Sequence, residues 1–106
     1  MSQEGQLKID LVIPVYNEAG VVEQTYISIA NVIDCLSYKF TIYYVDDGSQ
    51  DSTVDSLNAL AGRDPRIIVL EFARNFGHQA ALTAGLDASN GDFVISLDGD
   101  GQHPPE

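Results

Sequence analysis

Four short apolar runs divide the chain at regular intervals. Each is rich in β-branched residues and is bounded by turn residues or polar clusters, a pattern typical of buried strands. The runs are Ile9–Val15, Phe40–Val45, Ile67–Phe72 and Phe93–Leu97.

The stretches between these runs have helical periodicity. In the first, apolar residues recur at intervals of three and four, at Val22, Tyr26, Ile29, Ile33 and Leu36. A second helix is predicted from about Ser52 to Ala61, with Asp51 or Ser52 as N-cap and Gly62 as its stop. A third is predicted from about Phe76 to Ser89, ending at Asn90-Gly91.

The order of elements is therefore β-α-β-α-β-α-β, which predicts an α/β fold. Such alternation favours a parallel sheet with right-handed crossovers and helices on both faces. Ligands of open parallel sheets bind beyond the carboxyl ends of the strands. Candidate chemistry is therefore expected at that edge.

Length and composition indicate one small globular unit. The chain has 106 residues, 44% of them hydrophobic, with no linker or repeat. No apolar run approaches the ~20 residues needed to span a bilayer, and the N-terminus lacks a signal-peptide pattern. We therefore expect a soluble, cytoplasmic chain.

Cys35 is the one cysteine, and its apolar helical surroundings predict a buried thiol.

Acidic residues dominate the charge. Sixteen Asp and Glu against five Lys and Arg give a formal net charge of −11, which argues against nucleic-acid binding. A diphosphate would also be repelled unless a cation or a local cradle intervened.

Polar residues follow every predicted strand. The four segments read "VYNE", "DDGSQD", "ARNFGH" and "DGDGQHPPE". In the last, Asp98 and Asp100 flank Gly99 directly after a strand, so both carboxylates can converge on a hard cation such as Mg²⁺ or Mn²⁺. The cation would bridge the acidic protein and an anionic diphosphate.

The other strand ends suit a nucleoside. Tyr16 offers a stacking face, and the carboxylates of Asp46 and Asp47 can accept hydrogen bonds from a base or ribose. Arg74 is a candidate diphosphate or sugar contact, with a salt bridge at the sheet edge as the alternative. Capping explains Asp51, and turn formation explains Gly48 and Ser49. His78 is expected to pack or face solvent, and no role is assigned to His103.

These motifs resemble family 2 of the glycosyltransferases, and within it the polyprenyl-phosphate glycosyltransferases. "VIPVYNE", "VDDGSQD", "RNFGHQAALTAG" and "DGDGQHPPE" occur in family order from Ile9 to Glu106. The resemblance implies the nucleotide-binding half of a glycosyltransferase A-type fold. It further implies inverting transfer from a nucleotide-sugar donor to an acceptor, with a lipid phosphate expected in that place.

The resemblance also assigns residues to the site. Asp98, Asp100 and Gln102 correspond to the metal and diphosphate site, and Pro14, Tyr16, Glu18, Asp47 and Asp46 to the nucleoside pocket. Gly99 and Gly101 replace residues that are commonly alanine and leucine in relatives.

Family members continue well beyond this length, so residues 1–106 are expected to be a single N-terminal domain truncated at its C-terminus. The missing part would supply the general base, the acceptor loop and any membrane attachment. The full-length protein is expected at the cytoplasmic face of the membrane. The chain alone is therefore expected to be inactive.

Four other functions are alternatives to this prediction. "VISLDGDGQ" also resembles haloacid-dehalogenase-like phosphatases, with Asp98 as nucleophile and Asp100 as acid/base; that motif normally opens the fold, and Gln102 stands where threonine is expected. A phospho-receiver module would need paired acids after the first strand. A non-catalytic nucleotide- and metal-binding module stays open. An oxidoreductase is disfavoured because no Gly-x-Gly-x-x-Gly follows the first strand.

Overall fold

The computed structural model describes residues 7–97, which form a four-stranded parallel sheet with three helices. The strands are β1 (Lys8–Val15), β2 (Lys39–Asp46), β3 (Ile67–Glu71) and β4 (Phe93–Ser96). The helices are α1 (Val22–Ile33), α2 (Thr53–Arg63) and α3 (His78–Ala88). The strand order is β3-β2-β1-β4. The predicted alternation and the parallel sheet are confirmed.

Side-chain alternation along the central strands builds one core on each face of the sheet. Leu11 and Ile13 of β1 pack with Val22 of α1 and Leu57 of α2. Val12 faces the other way and packs in a second core with Ala81 of α3. Helices therefore cover both faces, as the sequence predicted. β1 and β2 lie at the centre of the sheet, and each is hydrogen-bonded to a strand on both sides.

Two helix ends differ from the prediction. α2 continues through Gly62 to Arg63, because Gly62 meets no steric constraint and its backbone needs no positive φ. α1 ends at Ile33, and the N–H groups of Cys35 and Leu36 bond three residues back in a turn. That turn carries both side chains out to solvent, so the predicted buried thiol is wrong.

A partly buried ion pair joins α1, α2 and the start of β3, at the amino-terminal ends of the strands. Arg66 donates from Nε and Nη2 to both carboxylate oxygens of Asp64, at 2.9 and 2.8 Å. The Tyr26 hydroxyl donates to the same carboxylate, and Asp34 accepts from Arg66. Hydrogen bonds from Arg66 hold the pKa of the Asp64 carboxyl well below its ordinary range.

The edge strand β4 is poorly covered. Its one ladder partner among residues 7–97 is β1, and all four of its residues are exposed. Phe93 and Ile95 are 56% and 45% exposed despite their apolar side chains. One edge of the sheet is thus open within the described part of the chain.

The turn before β4 is held by a carboxylate that the sequence analysis did not single out. Asp10 is buried in β1, and one of its oxygens accepts the N–H groups of Asn90 and Gly91, each at 2.7 Å.

Across residues 7–97, no helix is long and apolar enough to cross a membrane.

Candidate functional site

A cavity of about 300 Å³ opens at the carboxyl ends of β1 and β2, beside the first turn of α3. Three segments form its wall: the end of β1 and the loop after it, the residue after β2, and the loop that leads into α3. The lining residues are Pro14, Val15, Tyr16, Glu18, Asp47, Asn75, Gly77 and His78. This is the edge at which a parallel sheet is expected to bind its ligand.

Asp47 fixes the wall of the cavity next to α3. Its carboxylate is 4% exposed and accepts the N–H groups of Phe76 at 2.8 Å and Gly77 at 3.0 Å. The side-chain amide of Asn75 donates both to this carboxylate, at 3.0 Å, and to the Asp47 carbonyl oxygen, at 3.2 Å. Hydrogen bonds to a buried carboxylate are among the stronger ones in proteins. Asp47 therefore clamps the segment that precedes α3.

Gly48 makes this clamp sterically possible. Its φ is +78°, and a Cβ atom placed on it would lie 2.2 Å from the carbonyl carbon of Arg74. Glycine alone combines a positive φ with so close an approach of two backbones. The turn role predicted for Gly48 is confirmed, and the contact explains why a larger residue would displace the loop after β3.

A second set of hydrogen bonds joins the loops after β1 and β2. Asn17, at φ +51°, accepts the Gln50 N–H through its side-chain oxygen at 2.8 Å and donates its own N–H to the Ser49 hydroxyl. Glu18 donates its N–H to Thr53. These bonds determine where Tyr16 and Glu18 stand in the cavity wall.

Asp51 serves the start of α2, as predicted, although Ser52 is the N-cap residue and makes no side-chain cap bond. The Asp51 carboxylate accepts the N–H and the hydroxyl of Thr53 and the N–H of Ala19. The hydrogen bond from the Thr53 hydroxyl lowers the pKa of Asp51.

The structure brings four of the five predicted nucleoside-pocket residues to the cavity and leaves the fifth away from it. Pro14, Tyr16, Glu18 and Asp47 line it together. Asp46 does not. Its side chain lies on the same face of β2 as that of Tyr44, the face covered by α1 and α2. There Asp46 is 1% exposed and accepts the Ser49 N–H at 3.0 Å.

Arg74 also lies outside the cavity lining. Its guanidinium stacks over the ring of Phe76 at 4.5 Å, and no carboxylate among residues 7–97 forms an ion pair with it. The predicted alternative of a salt bridge at the sheet edge is therefore absent from the described part of the chain.

Sequence reasoning missed two lining residues with polar side chains, Asn75 and His78. His78 is exposed and is the first residue of α3, as the sequence predicted, and it also borders the cavity. The sequence offered one signal for His78, its position directly after Gly77. In the structure, the φ of +103° at Gly77 turns the chain into α3.

The predicted metal ligands Asp98, Asp100 and Gln102 lie outside the described residues. The chain that leads to them follows β4, and Leu97 donates its N–H to Val12 at 2.9 Å, alongside β1. Within residues 7–97, no group of three His, Cys, Asp or Glu side chains could hold a metal ion.

A family model describing glycosyl transferase family 2 matches residues 10–106, nearly the whole chain. The chain belongs to glycosyl transferase family 2. The family predicted from the four strand-end motifs is thereby confirmed.

Curated members of the family extend the comparison to whole proteins. The bactoprenol glucosyl transferase of Shigella phage SfV is 43% identical over 100 residues, which cover 94% of this chain and 33% of that protein. An uncharacterized glycosyltransferase of Bacillus subtilis is 39% identical over 94% of this chain and 31% of its own length. The chain thus spans about a third of the length of these relatives.

Solved structures of other sugar-transferring enzymes share the fold. A mannosyltransferase from Pyrobaculum calidifontis, in complex with GDP-Man and Mn²⁺, superimposes with a TM-score of 0.76 at 24% identity, over 93% of this chain and 29% of that one. Glucosyl-3-phosphoglycerate synthase from Mycobacterium tuberculosis gives 0.70 at 26%, over 92% and 34%. The predicted glycosyltransferase A-type fold is confirmed.

Proposed function

We propose that this chain is the nucleotide-sugar-binding domain of an inverting, metal-dependent glycosyltransferase. The observation that carries the proposal is the cavity at the carboxyl ends of β1 and β2, where Pro14, Tyr16, Glu18 and Asp47 meet. It combines an exposed aromatic ring with carboxylates, which suits a nucleoside that has both a flat face and hydrogen-bond donors. The complex of the M. tuberculosis relative with UDP and Mn²⁺ supports the same ligand class.

The proposed metal site consists of Asp98, Asp100 and Gln102. Two carboxylates and an amide oxygen form a donor set that fits Mg²⁺ or Mn²⁺. A bound divalent cation would stabilise the negative charge of the departing nucleoside diphosphate. The net charge of −11 makes such a cation useful for holding a diphosphate at this surface.

The proposed acceptor is a polyprenyl phosphate. Support comes from the names of the relatives, several of which are bactoprenol glucosyl transferases at 43% identity. We assign no residue of this chain as the base that would deprotonate or orient the acceptor. We therefore expect residues 1–106 to bind the donor without transferring its sugar, so that sugar transfer by the purified chain would contradict this part of the proposal.

Calorimetric titration with UDP and GDP, each with and without Mn²⁺, tests the donor site. We expect one nucleotide to bind in a Mn²⁺-dependent manner and Asp100→Ala to abolish that dependence. Asp87→Ala, which removes an exposed carboxylate on α3, is the charge-matched control and should bind like the wild type. If neither nucleotide binds under any condition, the proposed donor site is wrong.

A further inference from the structure

The cavity contains few hydrogen-bond donors that are still available to a ligand. Both N–H groups of the Asn75 amide are directed to Asp47, and the backbone N–H groups of Phe76 and Gly77 are bound to its carboxylate. The clamp that shapes this wall therefore uses the backbone donors of Phe76 and Gly77 and the amide donors of Asn75. Glu18 and Asp47 contribute carboxylates, which accept hydrogen bonds when ionised.

Two side-chain donors remain in the lining that the structure describes. These are the hydroxyl of Tyr16 and the imidazole of His78, and neither takes part in a hydrogen bond within residues 7–97. A neutral imidazole has one donor and one acceptor nitrogen. A nucleoside presents carbonyl and ribose oxygens as well as N–H and O–H groups, so a cavity lined mainly by acceptors would leave those oxygens unsatisfied.

The position of His78 is fixed from both sides. Asp47 holds the two residues that precede it, and Gly77 turns the chain into α3. α3 itself is seated closely on β1, since a Cβ atom at Gly85 would lie only 2.3 Å from the side chain of Val12. A side chain on so constrained a backbone can orient a ligand with little loss of conformational entropy.

We propose that His78 is a donor-binding residue whose imidazole donates a hydrogen bond to an oxygen of the nucleoside. This inference rests on the proposed function. The nucleoside is the relevant part because the cavity lies over β1 and β2, whereas the proposed metal and diphosphate ligands follow β4. Asp47 then acts as a positioning residue for His78, in addition to lining the cavity.

Three variants of the chain test this contact by titration with UDP and UMP in the presence of Mn²⁺. His78→Leu removes the donor at similar size, and His78→Gln keeps a donor. Gln79→Leu changes the next exposed residue of α3, which does not line the cavity. We expect His78→Leu to bind about fivefold more weakly, the loss typical of one neutral hydrogen bond, and His78→Gln to recover part of it. Gln79→Leu should bind like the wild type.

The choice of nucleotide separates the two halves of the ligand. A contact to the nucleoside predicts the same fold loss for UMP and UDP, and a loss confined to UDP would overturn the assignment. In the wild-type chain, the imidazole ¹⁵N signals of His78 should shift when UDP is added, which needs no mutation. Equal affinity of His78→Leu and wild type, with unmoved imidazole signals, overturns this inference alone. Failure of the wild type to bind any nucleotide overturns it together with the proposed function.

Discussion

Asp47 and Gly77 are thirty positions apart in the chain, yet the carboxylate of one accepts the backbone N–H of the other at 3.0 Å. The bond crosses from the end of β2 to the start of α3. It makes the shape of the cavity depend on a single buried carboxylate.

Asp47→Asn should therefore destabilise the chain and disorganise the cavity together. The amide cannot accept on both sides, so at least one of the N–H groups of Phe76 and Gly77 would lose its partner. We expect the free energy of unfolding in urea to fall by about 3 kcal/mol, with weaker nucleotide binding. Asp87→Asn replaces an exposed carboxylate near the end of α3 and should leave both quantities nearly unchanged. Equal stability of the two variants would refute the clamp.

Two glycine-to-alanine substitutions should have opposite effects although both positions are helical. Gly62 in α2 meets nothing within 4 Å, so alanine there should raise the free energy of unfolding by about 0.5–1 kcal/mol. Gly85 in α3 would place its Cβ 2.3 Å from the side chain of Val12, so alanine should cost about 1–3 kcal/mol by overpacking. Thermal unfolding of both variants by circular dichroism measures the difference, and equal shifts would contradict the close seating of α3.

The Asp64–Arg66 pair should make stability depend on pH in the acid range. The pKa of the Asp64 carboxyl is lowered in the folded chain, chiefly by hydrogen bonds from Arg66, against about 3.9 when unfolded. A lowered folded pKa means that the stabilisation is fully present above about pH 4 and is lost as the pH falls below it. Urea unfolding across this range should show the slope, and Asp64→Asn should flatten it.

Asp34→Asn is the matched control for this pH dependence. Asp34 also pairs with Arg66, but its side chain is 60% exposed, so its contribution is screened by solvent. The variant should keep most of the acid slope. At pH 7, Asp64→Asn should cost about 2 kcal/mol and Asp34→Asn well under half of that. If stability still falls with pH in Asp64→Asn as it does in the wild type, other carboxyl groups cause the dependence.

The edge of β4 that is open within residues 7–97 should favour self-association. Phe93, Val94 and Ile95 are exposed, and no charge interrupts the strand. Such an edge offers unpaired backbone groups and apolar side chains to another chain. We expect light scattering to show an average mass that rises with concentration, and Ile95→Lys to reduce the rise. A monodisperse wild-type monomer at high concentration would contradict this prediction.

The sequence predicted the elements well because each rests on a local pattern. Runs of β-branched residues and the three-and-four spacing of α1 are visible without knowledge of the fold. The helix stops were less predictable, because Gly62 is tolerated inside α2 and the chain had to turn after Ile33 to reach β2. The burial of Cys35 was mispredicted for that reason.

The cavity was predicted in part for a related reason. The rule that ligands bind beyond parallel strands correctly brought Tyr16, Glu18 and Asp47 together. It could not show that Asp47 lines the cavity and Asp46 does not. Adjacent residues point to opposite faces of the sheet, and which of the two faces the cavity depends on the strand register. Nor could it show that Asp47 binds the loop before α3, a contact between residues far apart in the chain.

The loops after β1, β2 and β3 are tied to one another by bonds between residues 30 to 33 positions apart. No short segment of the chain can therefore form the cavity, which has no precursor in any single helix or turn. It comes into existence during folding only when the central parallel strands have paired. A nucleotide that enters it would stabilise the native chain as a whole, so its apparent affinity would fall with any mutation that raises the unfolded population enough to compete with binding.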